Sequence, residues 1–210
     1  MEISHIYCNL PTLETDRLIL RKVTLEDAED IFYYGKREEV TKYVTWSTHK
    51  TLADTEEFIN FILNKYNNNE VAPWGIECKK SGRLIGTIDF VWWEPNKQIA
   101  EIGYAISKDC WGKGLTTEAA KEVIKFGFEK MNLTRIQARC MVENIGSARV
   151  MEKIGMSFEG IMRKGLFAKG KHQDIRMYSI LKEEYSFYRD HIPVIKEKDC
   201  LCNNRGRIVT

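Results

Sequence analysis

The stretch EIGYAISKDCWGKGLTTEAA, residues 101–120, decides how this chain is read. Its first six residues form a β-rich run, a glycine turn follows at Trp111-Gly112-Lys113-Gly114, and a helix opens at about Thr116. A strand–turn–helix junction of this kind points successive backbone N–H groups outward at the positive end of the helix dipole. Glycines there let phosphate oxygens come close. Lys113 either adds a full positive charge or simply faces solvent. An ordinary tight turn explains G-x-G equally well. Neither the full G-x-G-x-x-G fingerprint nor G-K-S/T is present, so dinucleotide-fold and P-loop readings fail at the residue level.

Downstream, the helix from about Thr116 to Met131 carries an apolar face of Ala119, Ala120, Val123, Ile124, Gly127, Phe128 and Met131. A strand from Arg135 to Val142 comes next, then a helix from about Asn144 to Ile154 stopped by Gly155. Two strands, about Ser157 to Phe167 and Gln173 to Leu181, flank a Lys169-Gly170-Lys171 turn. Upstream, Trp74–Cys78, Leu84–Trp93 and Gln98–Ile106 are β-rich and separated by short turns, which implies an antiparallel meander. Before them lie a strand at RLILR (17–21), a helix capped at Thr24 and ended at Gly35, and a helix begun at Thr51 with Asp54 three residues on. A meander followed by a strand–helix–strand crossover predicts an α/β (α+β) fold. Its mixed, mostly antiparallel sheet has about seven strands, with helices on both faces. Residues 1–189 read as a single domain and 190–210, which lose all periodicity, as a loose tail.

Composition bounds the function. Of 210 residues, 43% are hydrophobic and 30% charged, the balance of a globular protein. Lys plus Arg is 32 against 30 for Asp plus Glu, so no basic excess marks a nucleic-acid binder. No apolar run reaches the roughly 18 residues of a membrane span, and the first residues lack the basic and apolar regions of a signal peptide. The expectation is a cytoplasmic protein. Cys8, Cys78, Cys110 and Cys140 lie singly, and Cys200 and Cys202 form a lone C-x-C without nearby histidines. No metal site is expected.

The stretch at 101–120 resembles motif A of the GNAT N-acetyltransferase superfamily, R/Q-x-x-G-x-G/A at a helix start. More closely, WGKGLTTEA (111–119) is similar to the branch containing the ribosomal-protein N-terminal acetyltransferases. LETDRLILR (13–21), NIGSARVMEKIGM (144–156), FEG (158–160) and the His172-x-Asp174 pair match the same branch in the expected order. The match spans about residues 12–185. The resemblance implies acetyl-CoA as cosubstrate, its pyrophosphate held by the amides of Trp111, Gly112, Lys113, Gly114, Leu115 and Thr116, with the Asn144 amide against the pantetheine arm and Ile106 also among the cofactor-binding residues. Trp111 and Thr116 depart from the superfamily pattern but leave the backbone available. A homodimer is common in the branch, though nothing in this sequence forces one.

An amine must be presented neutral, an oxyanion stabilised and a thiolate protonated. An α-amino group with a pKa of about 8 is easier to use than a lysine at about 10.4. A carboxylate can serve as base, often through water. Glu101, leading into the turn, and Glu159, after the second motif helix, are the candidates; the branch resemblance favours Glu159. Ser147 is either a first-turn residue capped by Asn144 or, by the resemblance, the donor to the departing sulfur. Many superfamily members carry a Tyr where this chain has Met151, which cannot donate. Transfer to a primary amine, here a ribosomal-protein-like N-terminus, is the leading expectation. Small-amine acetylation of a polyamine, aminoglycoside or amino acid is the alternative, as is a non-catalytic CoA-binding sensor. The acceptor side falls at about residues 31–50 and 157–175.

Overall fold

A computed structural model describes residues 2–191; Cys200, Cys202 and most of the expected tail lie outside the described residues. The strands are β1 (Leu13–Glu14), β2 (Leu18–Arg21), β3 (Trp74–Cys78), β4 (Arg83–Glu94), β5 (Ile99–Ile106), β6 (Arg135–Met141), β7 (Ser157–Ala168) and β8 (Lys171–Leu181). They form one eight-stranded sheet in the order β1-β2-β3-β4-β5-β6-β8-β7, one more than expected because β1 is only two residues long. All neighbours are antiparallel except β5 and β6, the pair joined by the crossover.

The helices are α1 (Ile3–Tyr7), α2 (Ala28–Gly35), α3 (Glu38–Thr41), α4 (Leu52–Asn67), α5 (Leu115–Glu129), α6 (Ile145–Lys153) and α7 (Lys182–His191). A reciprocal box starts α4: Thr51 Oγ1 accepts from Asp54 N at 3.3 Å and Asp54 Oδ2 from Thr51 N at 2.9 Å. The helix expected from Thr24 begins as a 3₁₀ turn, Leu25–Asp27, before α2. Here the Asp27 carboxylate takes two Arg21 nitrogens at 2.7 and 2.9 Å. The α7 helix crosses the expected domain boundary at 189 and runs to His191.

Helices cover both faces. The apolar stripe of α5 is fully buried against the sheet, with Phe126 edge-on to Trp74. Gly127 permits this contact, because a Cβ there would meet Ile136 Cδ1 and Phe90 Cζ at 2.9 Å. On the opposite face α2 and α4 pack together, and Tyr34 of α2 bonds to Thr87 of β4. The β7–β8 hairpin turns at Lys169 and Gly170, with φ of 51° and 76°, the pair of left-handed residues that a two-residue hairpin needs. No helix of the described residues is long and apolar enough to cross a membrane, and no cluster of three metal-ligating side chains occurs among them.

Candidate active site

The crossover pair builds the site. β5 and β6 align only at Ile99–Arg135, Ala100–Ile136 and Glu101–Gln137. Past Glu101, β5 stays bonded to β4 as far as Ile106, and β6 stays bonded to β8 as far as Met141. The strands therefore part as a fork whose inner edges, 102–106 and 138–141, carry backbone groups with no ladder between them. Extended backbone with no strand partner is a ready receptor for another amide-bearing chain.

At the open end of β5 the chain turns through a 3₁₀ segment, Lys108–Cys110, into the glycine turn. Trp111 N is spent on Lys108 O at 3.0 Å, which removes one expected binding amide. The Trp111 indole folds back instead and donates to Ile106 O at 3.1 Å. Gly112 and Gly114 both have φ of 74°, a backbone that side chains other than glycine rarely adopt. Gly114 caps α5, and the first amide to find an acceptor within the helix is Glu118 N, on Gly114 O at 3.0 Å. The N–H groups of Leu115, Thr116 and Thr117 thus open off the helix end. Leu115 is fully buried, so its side chain contributes to the core while its amide faces the turn.

A brace holds this turn. Glu118 accepts from Thr15 Oγ1 at 2.6 Å, Arg17 N at 2.9 Å and Arg17 Nε at 2.6 Å, and Arg17 Nη1 donates to Lys113 O at 3.1 Å. Burial pushes the Glu118 carboxyl up, but these bonds outweigh it and hold the group below its ordinary range. Two motifs about a hundred residues apart, LETDRLILR and WGKGLTTEA, meet in this one cluster.

Glu101 and Tyr104, three residues apart on β5, point to opposite faces of the fork. The Glu101 carboxylate, 4% exposed, takes Arg139 Nε at 2.8 Å and Gln137 Nε2 at 2.9 Å. On the other face Asn144 Oδ1 caps α6 by accepting from Ser147 N at 3.1 Å, so half of its amide is structural. Ser147 Oγ lies 3.1 Å from the Tyr104 hydroxyl and within hydrogen-bond reach of the Cys140 thiol, which burial pushes up to about 11. Neither Tyr104 nor Cys140 stands out in the sequence; their alternation on β5 and β6 is the signal that could have found them. Met151 is 1% exposed and packs in the core.

Glu159 is held in an ion pair. Its carboxylate is clamped by Arg135 Nη1 and Nη2, both at 2.7 Å, and by Ser179 Oγ at 2.6 Å. The guanidinium, then the hydroxyl, hold its pKa down at about 2. A group so acidic is a poor proton acceptor near neutrality. It also sits beside Arg135, at the closed end of the fork. The two segments expected to form the acceptor side touch: Lys169 Nζ in the hairpin turn donates to Thr41 O of α3. Asp174 is structural, its Oδ1 accepting from Lys164 N at 2.7 Å.

Residues 17–157 match the family described as Acetyltransferase (GNAT) domain. The chain belongs to this family. The uncharacterized N-acetyltransferase p20 of Bacillus licheniformis is 34% identical over 177 residues, covering 84% of this chain and 99% of p20. The ribosomal-protein-serine acetyltransferase of Escherichia coli K12 is 30% identical over 100 residues, 48% of this chain and 56% of that protein. A crystal structure of a GNAT-family acetyltransferase from Bacillus anthracis superposes with a TM-score of 0.73 at 32% identity, covering 82% of this chain and 99% of that one. This protein is accordingly a GNAT-type N-acetyltransferase, with the mixed sheet of that fold.

Proposed function

We propose that this GNAT protein transfers the acetyl group of acetyl-CoA to the α-amino group of a peptide or protein N-terminus, in the manner of the ribosomal-protein acetyltransferases. The fork carries the reading, because it offers a hydroxyl on one face and a carboxylate on the other. The residues present fit acetyl-CoA: left-handed glycines and open amides at 112–117 suit a pyrophosphate, and the unladdered edges of 102–106 and 138–141 suit the amides of a pantetheine arm. A thioester in that cleft would be attacked from the Glu101 side. Each Glu101 oxygen already accepts one bond and retains a lone pair for a water that relays the amine's proton. A backbone N–H of the parted β5 edge would stabilise the oxyanion. Ser147, with Asn144 fixing its helix turn, would donate to the sulfur as it leaves.

Charge separates the acceptors. The two acceptor-side segments, 31–50 and 157–175, hold eight Lys or Arg against four Asp or Glu. Like charges repel polyamines and aminoglycosides, whereas a peptide N-terminus brings one positive charge and needs no acidic groove. The test is mass-spectrometric detection of acetyl transfer from acetyl-CoA to a panel of N-terminal peptides, polyamines and aminoglycosides. Acetylated peptide is the expected result. Acetylation of small amines alone would move the protein to that second class, and acetyl-CoA binding with no product anywhere would leave a sensor.

A further inference from the structure

Met151, four residues after Ser147 on α6, is buried and has no proton to give. A phenol nevertheless reaches the same neighbourhood from another element. Tyr104 lies on β5 and pairs with Ile88 of β4, on the sheet face that α5 and α6 cover. Its hydroxyl is 3.1 Å from Ser147 Oγ and 3.2 Å from Ser147 O. We infer that Tyr104 is a positioning residue for acetyl transfer: its O–H donates to Ser147 Oγ, and this turns the Ser147 O–H toward the sulfur that leaves. The inference rests on the assignment of Ser147 as the donor to that sulfur.

The direction of the chain follows from the neighbouring carbonyl. Ser147 O can only accept, so the Tyr104 proton lies on the Ser147 side, between O at 3.2 Å and Oγ at 3.1 Å. Ser147 Oγ is then the acceptor of that pair, and its own proton is left to point at the departing sulfur rather than at Tyr104. Burial drives the Tyr104 phenol well above its ordinary range, so it remains a donor at every working pH. No proton has to leave Tyr104. When the carbon–sulfur bond breaks, its electron pair goes to sulfur, where the polarised Ser147 O–H stabilises it. The proton taken from the amine through Glu101 and water balances the thiolate. Chained hydroxyls strengthen one another, so the second link raises the worth of the first.

The test compares wild type, Tyr104→Phe, Ser147→Ala and the double variant, using acetyl-CoA and the panel peptide that is acetylated fastest. Tyr104→Phe keeps the ring and removes only the hydroxyl. It should lower kcat about ten-fold, the worth of one hydrogen bond supporting developing charge. KM for acetyl-CoA should stay unchanged, the melting temperature should fall by only the few degrees that one buried hydrogen bond is worth, and the double variant should be no slower than Ser147→Ala. An unchanged or raised kcat in Tyr104→Phe overturns the inference, because Tyr104 would then be drawing the Ser147 proton away from sulfur. Losses that multiply in the double variant overturn it too, by showing the two hydroxyls to be independent. If Ser147→Ala alone retains full kcat, the assignment of Ser147 fails first, and that arm identifies the failure.

Discussion

Asp89→Asn should stabilise this protein, and the gain should appear only as pH rises. Asp89 lies on β4 opposite Gly103, near Tyr7 and Tyr66, and burial pushes its carboxyl from 3.8 up to about 7, against the weaker pull of Lys65. Below the unfolded value the acid is protonated in both states and costs nothing. Between 3.8 and 7 the unfolded chain ionises while the folded one keeps its proton, so stability falls with rising pH. Above 7 the loss is complete. About three pH units at ~1.4 kcal/mol each set a ceiling near 4 kcal/mol. Asp89 keeps some contact with solvent, and roughly half of that, about 2 kcal/mol, is the expected gain. Asn has the shape of the protonated acid and cannot ionise. Circular-dichroism melts of both proteins from about pH 4 to pH 8.5 should therefore coincide at the acid end. They should separate by about 4–8 °C at the alkaline end, with the variant higher. Asp27, Glu118 and Glu159 have lowered pKa values and lose their contributions as pH falls, but they are common to both proteins and cancel in the difference. A gap that does not change with pH, or a variant that melts lower at pH 8, would show that Asp89 is not a buried acid.

The two glutamates should behave differently. Glu101→Gln is expected to lower kcat by about a hundred-fold or more in steady-state assays, the scale of a lost general base. Glu159→Gln should leave kcat within a few-fold and cost about 1 kcal/mol of stability, since its ion pair with Arg135 is partly exposed. The reverse ranking would return the base to Glu159. Gly114→Ala forces a side chain into a left-handed cap at a cost of about 1–2 kcal/mol, so calorimetry should show acetyl-CoA binding weakened about ten-fold. Gly82→Ala, with φ of 64° in a distant turn, should change stability alone. Equal loss of affinity in both would refute a cradle at 112–117.

What could be read from the sequence, and what could not, divides by how far apart in the chain the interacting residues lie. α5 was legible because Ala119, Ala120, Val123, Ile124 and Phe128 repeat at helical spacing, and α4 because Thr51 and Asp54 cap it locally. α1 and α3, five and four residues long, are too short for any period to register. Thr15, Arg17 and Glu118 were legible as motif letters but not as one brace, which joins positions 101 and 103 residues apart. Tyr104 and Ser147 are 43 residues apart, and only the fork brings β5 within reach of α6. Glu159 is the sharpest case. It is the extra residue where the register slips between Phe158–Tyr178 and Gly160–Met177, and such a bulge re-aims a side chain. The bulge turns Glu159 onto Arg135 and Ser179, 24 and 20 residues away. Its chemistry as a carboxylate is written in Phe-Glu-Gly; the guanidinium that occupies it is written on another strand. The residue's identity qualifies it as a candidate base; the slipped register decides which guanidinium it meets, just as the alternation on β6 sets Arg139 against Glu101 where the strands part.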